Sequence, residues 1–455
     1  MKKSFSKITQ KIENLIESTK DSIDEISIPI RTTKIAITGL SRSGKTVFIT
    51  SLIDQLLHQK KIAFTTSKHK AFKVSMQPPK ASVKRFDYYT FSKDIKSYSK
   101  WPNGTDSITS TLLEIESKSS FSMLGNSKFR IELIDYPGEW ILDIAMLGLS
   151  YEEWSQKVIL WMQNSNEELA RGYLSEIEKL TQNSSGELLE KKLHNQYADM
   201  IRYFKKNHYS NLTPGRFLMP SDLVGDPMLL FAPVPLSDSP LHEVFKKRYK
   251  TYLKEIVKEI QLEHFKGFDK QIVLIDIVEA LQNGSVYYKD MKDGLRSMLS
   301  LYEHKNKNFL SQWLSASINS VTFVATKADL VASSQHNNYL ALLNEMVEDI
   351  RKELDISHIK TDIQVIASVK CTQTLKEKHH GKTLSFIRGI DAKDKNVVEI
   401  YPGEIPSSFP SDEEWNPDKY AYEEFLPPKR SYKENEPFEH INMDRVIESI
   451  IGDLL

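Results

Sequence analysis

The sequence has almost no cysteine and no long apolar run. Cys371 is the single cysteine among 455 residues, which excludes an intramolecular disulfide framework and a zinc ribbon and suits a reducing compartment. No apolar stretch approaches the roughly 18 residues that a membrane-spanning helix needs. We therefore expect a chain that depends on a packed core, and we interpret Cys371 as a small packing residue.

The sequence also lacks a charge imbalance and a secretion signal. Its 61 basic residues balance 61 acidic ones, so charge gives no reason to expect nucleic acid as the main partner. The opening "MKKSFSKITQKIENL" has no continuous apolar segment of signal-peptide type. With 40% hydrophobic residues, we expect a cytoplasmic globular protein of two or three domains, or one domain with a large insertion.

Residues 1–30 predict an N-terminal amphipathic helix. Apolar residues recur at helical spacing from Phe5 to Ile26, and Pro29 ends the pattern. Two interpretations stay open. The helix docks on its own domain, or it docks on a partner or at the inner face of the membrane, which would make the protein peripheral there.

Short apolar runs predict buried strands. They are "KIAIT" (34–38), "FRIELID" (129–135), "QIVLIDIV" (271–278), "SVTFVATKAD" (320–329) and "DIQVIAS" (362–368). Runs without strict alternation suit strands that are buried on both faces. The fold class expected is therefore α/β, with a mostly parallel sheet of the P-loop NTPase type and helices on both faces.

Two segments differ from this strand pattern. Residues 149–270 are rich in Leu, Glu and Lys at helical spacing, which predicts a helical subdomain inserted into a P-loop domain of residues 31–148 and 271–455. Residues 372–439 read as a loop-rich extension, whose aromatic residues predict that it packs on the surface. The closing "MDRVIESIIGDLL" predicts a last helix against the sheet.

The stretch "GLSRSGKT", Gly39 to Thr46, matches the G-x-x-x-x-G-K-[ST] motif between a predicted strand and a predicted helix. Its glycines let backbone N–H groups turn toward phosphate oxygens, and the helix N-terminus favours negative charge. Lys45 is expected to bridge the β and γ phosphates, and Thr46 to bind Mg²⁺. The residues expected to hold the phosphates are Ser41, Arg42, Ser43, Gly44, Lys45, Thr46 and Val47.

A second motif supplies an acidic metal ligand. In "IELIDYPGEW", Asp135 ends an apolar run and is expected to hold Mg²⁺ through water. Gly138 completes a D-x-x-G pattern whose backbone N–H can sense a γ phosphate. The pattern alone is common, but its place after a P-loop and a strand makes it informative.

Two further motifs indicate which nucleotide base the site binds. "TKAD" contains Thr326, Lys327 and Asp329, and a carboxylate there can accept from both N1–H and the 2-amino group of guanine. Adenine has an acceptor at N1 and no 2-amino group, so guanine is favoured. The Lys327 stem can cover the flat face of the base, and "ASVK", with Ser368 and Val369, can present backbone N–H groups to the guanine O6.

The first switch must lie between Thr46 and Asp135, where "KWPNGTDSITS" contains two threonines. Thr105 or Thr109 can cap Mg²⁺ when a γ phosphate is bound, and Thr105 is preferred. Trp101 either shields the nucleotide or packs as an ordinary tryptophan, and both interpretations stay open.

Slow hydrolysis is expected from the residue after Gly138. Glu139 stands where small GTPases carry a water-positioning glutamine, and a carboxylate near a γ phosphate is repelled. Arg42 either stabilises charge in the transition state or is a solvated loop residue. Lys45, Glu139 and Arg42 are the candidate catalytic residues.

The order of "GLSRSGKT", "DYPGEW", "TKAD" and "ASVK" resembles that of translation-factor GTPases. With "FAPVP", "QIVLIDIVEALQNG", "YPGEIP" and "HINMDRVIESIIGDLL", the chain looks closely like the YcjX family of bacterial P-loop proteins from about Lys34 to its C-terminus. The resemblance implies a cytoplasmic, stress-associated protein that binds GTP or GDP with Mg²⁺, has a helical insertion in its G domain and works beside a membrane protein. Thr326 replaces the more usual Asn, as in dynamin-like proteins.

Three functions are compatible with these motifs. The first is a slow Mg²⁺-dependent GTP hydrolase whose γ phosphate orders the switches and moves the helical insertion. The second is a nucleotide-sensing interaction module that hardly turns over. The third is an ATP-dependent P-loop NTPase. Turnover separates the first two, and base competition separates both from the third.

Overall fold

A mostly parallel sheet forms the centre of the protein. The computed structural model describes residues 30–40, 42–58, 72–78, 83–104, 107–118, 126–165, 167–207, 209–218, 229–235, 239–258, 267–299, 318–379, 382–420, 422–433 and 435–454. The amphipathic helix predicted for residues 1–30 lies outside them, except for its last residue. No helix of these described ranges is both long and apolar enough to cross a membrane.

Eight strands of the described residues pair into this sheet. They are β1 (Thr32–Gly39), β2 (Phe72–Gln77), β3 (Lys84–Arg85), β4 (Thr109–Lys118), β5 (Asn126–Asp135), β6 (Lys270–Ile275), β7 (Ser320–Ala325) and β8 (Lys360–Val365). Their order is β2, β4, β5, β1, β6, β7, β8, with β3 beside β4. The strands from β5 to β8 in this order are all parallel, while β4 is antiparallel to β5 and β2. The predicted α/β fold is confirmed.

The apolar runs predict the five parallel strands but not the antiparallel strands β2 and β4. Strand β4 begins at Thr109, which the sequence offers as a magnesium ligand in the first switch. Thr109 lies opposite Asp135 in the β4–β5 register. The mixed polar and apolar sequence of β4 gave no continuous apolar run, so the run-based criterion passed over it.

Helices cover both faces of the sheet. In chain order they are α1 (Lys45–His58), α2 (Tyr88–Tyr98), α3 (Gly138–Ala145), α4 (Tyr151–Asn164), α5 (Glu168–Glu178), α6 (Glu187–Lys206), α7 (Pro240–Tyr252), α8 (Ile277–Asn283), α9 (Ser285–Leu299), α10 (His336–Ile356) and α11 (Met443–Ile451). Short 3-10 turns cover Met146–Gly148, Gly215–Leu218, Ala328–Leu330, Ser333–Gln335 and Pro417–Lys419, and a π-helical turn covers Leu253–Val257.

Strand β1 contributes to both hydrophobic cores. Ile35 and Ile37 pack in the core that contains α1 and α11, which confirms the predicted last helix. Ala36 faces the opposite core, which contains α3 and α8 to α10. Because successive strand residues point to opposite faces, the consecutive apolar residues Ile35, Ala36 and Ile37 serve both cores.

The chain between β5 and β6 is helical, and its aromatic residues pack in the same core as Ala36. Helices α4 to α7 lie there, and the Trp154 ring stacks on that of Tyr249 with 5.3 Å between centroids. Phe231, from the segment leading to α7, packs edge-on against Trp154 at 5.4 Å. The indole N–H of Trp154 donates to Thr213 Oγ1 at 3.0 Å, so the polar atom of this buried ring is satisfied.

The extension after β8 is not only loop. Strands β9 (Gln373–His379), β10 (Lys382–Ile390) and β11 (Val397–Ile400) form a separate antiparallel sheet. The expectation of a loop-rich segment over residues 372–439 was wrong for this first part. Charged residues stand side by side in β9, at Lys376, Glu377 and Lys378, so no apolar run marks this strand.

A buried carboxylate joins α3 to the helical segment. Oδ1 of Asp143 accepts from the Gly215 backbone N–H at 2.6 Å, and Oδ2 accepts from Arg216 N–H at 3.1 Å and from the Tyr252 hydroxyl at 2.6 Å. The Arg216 guanidinium lies over the Trp140 ring at 4.5 Å. Burial raises the pKa of Asp143 to about 6, although these hydrogen bonds oppose the rise.

A second buried carboxylate holds the other end of the same short segment. Oδ2 of Asp290, on α9, accepts from the backbone N–H groups of Ser210 and Asn211 at 2.6 and 3.3 Å. Its Oδ1 accepts from the Trp161 indole at 3.1 Å. Burial raises its pKa to about 6 as well. Residues 210–216 are thus fixed at both ends by carboxylates from other elements.

The raised pKa of Asp143 predicts a defined pH dependence of stability. Because the folded-state pKa of about 6 lies above the ordinary 3.8, the folded state takes up the proton first as the pH falls, so this stabilisation appears below about pH 6. The free energy of unfolding of the wild type minus that of Asp143→Asn should therefore be larger at about pH 5 than at about pH 7.5, by on the order of 1 kcal/mol. Urea denaturation at both pH values measures it.

Asp199→Asn is the matched control, since this α6 carboxylate is 76% exposed. Its difference from the wild type should stay the same at the two pH values. An equally constant difference for Asp143→Asn would contradict the assignment.

Candidate functional site

The loop between β1 and α1 has the backbone geometry of an anion cradle. Gly44 has φ +79° and Arg42 has φ +63°, so the chain alternates into the left-handed region that presents N–H groups inward. A Cβ at Gly39 would overlap the Ser43 hydroxyl. That hydroxyl is buried and has no hydrogen-bond partner among the described residues. Ser41 lies outside the described residues.

Lys45 reaches from this loop to the end of β5. Its Nζ donates to the Tyr136 backbone carbonyl and lies 3.4 Å from Oδ1 of Asp135, a carboxylate that is almost fully buried. The parallel register of β1 and β5 places Ile37 opposite Asp135. Thr46, buried in the first turn of α1, follows Lys45 directly. The hydroxyl and carboxylate predicted to bind a metal thus come from adjoining elements, the first turn of α1 and the end of β5.

Gly138 is packed against the same loop. A Cβ added to Gly138 would overlap the backbone carbonyl oxygen of Gly39. The first turn of α3, which contains Gly138 and Glu139, therefore begins directly beside the loop. Only glycine allows this approach of the two backbones.

A cavity of about 360 Å³ connects the loop to the predicted base motifs. From the loop side it is lined by Gly44 and Val47, and from the other side by Thr326, Lys327, Asp329, Ser368 and Val369. These residues lie far apart in the sequence. They meet because β1, β7 and β8 have their carboxyl ends at the same edge of the sheet. The structure thus unites the two groups of residues that the sequence predicted separately.

The segment after β7 presents a buried carboxylate to this cavity. Asp329 is 6% exposed, and its Oδ2 accepts from the Cys371 N–H at 2.9 Å and from the Cys371 thiol at 2.8 Å. Burial raises the pKa of Asp329, while the bonds from Cys371 oppose the rise. Cys371 is therefore more than the packing residue that the sequence suggested.

Lys327 is held by an ion pair across the end of the sheet. Its Nζ lies 2.5 Å from Oδ2 of Asp276, and its backbone is left-handed, with φ +58°. Burial acts to lower the pKa of Lys327, but Asp276 raises it above its usual range. Asp276 follows β6 and caps α8, so the ion pair fixes the lysine stem along one wall of the cavity.

The loop after β8 is supported by the C-terminal chain. The backbones of Ala367 and Ile441 pair in both directions, and the Lys370 N–H donates to the Glu439 carbonyl at 2.7 Å. The Ser51 hydroxyl of α1 donates to the Ser368 carbonyl. A loop that carries two of the predicted ligand residues is thus fixed from both sides.

Trp101 lines the cavity, and the C-terminal extension lies against it. The indole N–H donates to the Phe425 carbonyl at 2.7 Å, and Trp101, Glu424 and Phe425 all line the cavity. Trp101 also packs with Val47 and Val369, which agrees with its interpretation as a packing tryptophan, while shielding of a nucleotide stays a prediction. Glu424, Phe425, Cys371 and Leu330 were missed, because no local pattern marks them. Thr105 lies outside the described residues.

A buried carboxylate anchors the helix that precedes Trp101. Oδ1 of Asp54, on α1, accepts from the Tyr88 hydroxyl at 2.9 Å and from Lys96 Nζ at 2.6 Å, both on α2. Its Oδ2 accepts from the Phe438 N–H at 2.8 Å. Burial acts to raise the pKa of Asp54, but bonds from His58 and Lys96 bring it below its usual range. One carboxylate thereby joins α1, α2 and the C-terminal extension.

Comparison with known proteins agrees with this architecture. The model of the "YcjX-like family, DUF463" matches residues 33–455. The chain belongs to this family. It is 28% identical over 448 residues to a protein of Escherichia coli K12 named "Ras-like GTPase YcjX", covering 93% of this chain and 96% of that protein. A protein of the same name from Shewanella oneidensis MR-1 is 28% identical over 490 residues, covering 99% of both chains.

Gly138 and the loop after β1 both lie within the segment that the family match covers. Their close approach predicts a steric effect. Gly138→Ala should lower the free energy of unfolding by about 1–3 kcal/mol, because the new methyl group overlaps a backbone oxygen that cannot rotate away. Urea denaturation measures the change.

Gly172→Ala on α5 is the matched control, since nothing lies within 4 Å of the added Cβ. It should leave stability unchanged or raise it by up to about 1 kcal/mol. A Gly138→Ala protein that unfolds at the wild-type urea concentration would contradict the packing of α3 against the loop.

Proposed function

We propose that this protein binds guanine nucleotides with Mg²⁺ and hydrolyses GTP slowly, as a switch that acts on its helical segment. The observation that carries the proposal is the single cavity lined by both the P-loop residues and the residues after β7 and β8. The names of the two relatives support it. In this proposal, residues 149–270 are a helical subdomain inserted into a G domain of residues 31–148 and 271–455.

The phosphates would bind at the loop after β1. The left-handed Arg42 and Gly44 and the buried Ser43 hydroxyl without a partner among the described residues suit an anion that accepts hydrogen bonds. Lys45 would bind phosphate oxygens, and Mg²⁺ would be held by Thr46 and Asp135, with Thr105 as a third candidate. A hydroxyl and a carboxylate are the ligand types that Mg²⁺ prefers. Mg²⁺ would neutralise phosphate charge during transfer.

The base would bind at the other end of the cavity. Asp329 can accept two hydrogen bonds from guanine, whereas adenine offers no matching pair of donors. The Lys327 stem, fixed by its ion pair with Asp276, would lie along the base, and Ser368 and Val369 would face its O6. This arrangement favours GTP over ATP and makes an ATP-dependent NTPase the less supported alternative.

Hydrolysis is proposed to be slow because Glu139, beside Gly138, would repel the γ phosphate. Arg42 remains a candidate for stabilising transition-state charge. A module that binds GTP and GDP without turnover is the second candidate function. GDP release over time from purified protein with GTP and Mg²⁺, with and without membrane vesicles, distinguishes the two and also tests the proposed membrane partner. The cytoplasmic, stress-associated role belongs to the same proposal.

The switch would act through α3. Gly138 lies against the loop at the start of this helix, and Asp143 near its end binds the Gly215 and Arg216 N–H groups. A cavity of about 430 Å³ lies between the end of α3 and the helical segment, and residues 211–213 line it. A γ phosphate that repositions Gly138 would therefore shift residues 210–216.

The base contact predicts a change of specificity. Asp329→Asn should weaken GTP binding by several kcal/mol, because a buried N–H of the base would meet an amide N–H, and such an unpaired donor costs about 1–3 kcal/mol beyond the lost charged bond. The two donors of Cys371 keep the new amide oxygen on their side, which leaves the NH₂ group for the base. Xanthine has a carbonyl in place of the 2-amino group, so the variant should gain XTP.

Competition of GTP, XTP, ITP and ATP for wild type and variant measures this exchange. Lys45→Ala is the control, because it should lose all four triphosphates while it melts like the wild type. A wild type that prefers ATP, or an Asp329→Asn protein with unchanged GTP affinity, would mean that Asp329 only begins a turn.

The switch predicts a pattern of hydrogen exchange. A GTP analogue should protect residues 101–109 and 136–148 more than GDP does, and residues 210–216 should respond with them. In Asp143→Asn the response at residues 136–148 should remain while that at residues 210–216 weakens, since one acceptor of their N–H groups is altered. Asp199→Asn, at an exposed position, should keep both responses. Equal protection by GDP and the analogue would rule out the switch.

A further inference from the structure

Asp329 is held by two successive residues of the segment after β8. The Cys371 N–H and thiol both lie within 3 Å of its Oδ2, at 2.9 and 2.8 Å. The Thr372 hydroxyl donates to the Asp329 backbone carbonyl. Residues 371 and 372 therefore fix both the side chain and the main chain of Asp329, although they lie about forty residues away in the sequence.

Cys371 also borders the space that the proposed base would occupy. Its half-buried side chain lines the 360 Å³ cavity together with Asp329 and Ser368. A flat ligand in contact with the Asp329 carboxylate would therefore cover the thiol. A ligand that occupied only the loop after β1 would leave the thiol open.

We propose that Cys371 is a positioning residue for guanine recognition: its N–H and thiol orient the Asp329 carboxylate, and a bound guanine base shields the thiol. The inference rests on the proposed function, because it concerns the same cavity. A carboxylate that must accept from two parallel N–H groups of a base needs a fixed plane, and two donors on one oxygen restrict that plane. The donors also favour the ionised form, which burial disfavours.

Binding measurements on Cys371→Ala and Cys371→Ser test the orientation. Cys371→Ala removes the thiol donor and should lower GDP affinity by roughly fivefold to tenfold, since a thiol is a weak donor to a charged acceptor. IDP, whose base has no 2-amino group, should lose less, so the preference for GDP over IDP should shrink. Cys371→Ser, which keeps a donor, should restore the preference, and the affinity for magnesium tripolyphosphate should stay the same in both variants.

Labelling of the single thiol tests the shielding. Burial and the neighbouring Asp329 raise the pKa of the Cys371 thiol well above its usual range. The protein is therefore labelled with N-ethylmaleimide at about pH 8.5, where the thiolate is more abundant. Mass spectrometry measures the extent of labelling. GDP should slow the labelling at least tenfold, and tripolyphosphate should not slow it. Cys371→Ala, which has no thiol, measures modification elsewhere. Labelled protein should no longer bind GDP.

The outcomes separate the two proposals. A wild type that binds no guanine nucleotide overturns the proposed function and this inference with it. A wild type that binds GDP overturns this inference alone if Cys371→Ala melts like the wild type and keeps its GDP affinity and its preference over IDP. Equal labelling rates with and without bound GDP overturn the shielding in the same way.

Discussion

The parallel pairing of β1 with β5 and β6 is the constraint from which the site follows. In this register Ile37 lies opposite Asp135, and Gly39 lies opposite Leu274, so the loop after β1 and the acidic end of β5 meet without any help from long side chains. Parallel strands need crossovers, and their carboxyl ends open at one edge of the sheet. The later strands β7 and β8 end at that same edge. A sequence that buries β1 on both faces therefore also fixes where its polar loops gather.

The two ends of the candidate site are supported by different parts of the chain. At the loop end, Gly138 and Asp143 connect the site to the helical segment between β5 and β6. At the other end, Phe425 and Ile441 from the C-terminal extension hold Trp101 and the loop after β8. Glycine contact and buried hydrogen bonds dominate the first end, and backbone pairing dominates the second. The first end is therefore tied to the helical segment, and the second end to the C-terminal part of the chain.

Local sequence patterns predicted the centre of the sheet and the loops of the site. They did not predict contacts between residues that are far apart in the sequence. The apolar runs of β1 and of β5 to β8 can each be recognised within a few residues. The same holds for the motif that contains Gly39 and Lys45 and for the motif that contains Asp329. Strands β2 and β4 mix polar and apolar residues, and β9 carries three consecutive charged residues, so no apolar run marks them. Glu424 reaches the cavity only because the chain beside it, at Phe425, pairs with Asp391. No feature of its own sequence neighbourhood signals that position.

Several contacts between elements of this protein are made by buried carboxylates and not by apolar side chains. A buried carboxylate is costly unless donors surround it, and Asp54, Asp143 and Asp290 each receive backbone or side-chain donors from other elements. Hydrophobic contact is non-directional and tolerates sliding, whereas an N–H bound to a carboxylate oxygen has one favoured position. Such contacts therefore fix the relative position of the elements that they join more narrowly than apolar packing does. Asp143 on α3 and Asp290 on α9 bind the two ends of the same seven-residue stretch. A movement of α3 relative to α9 must therefore change the backbone of residues 210–216.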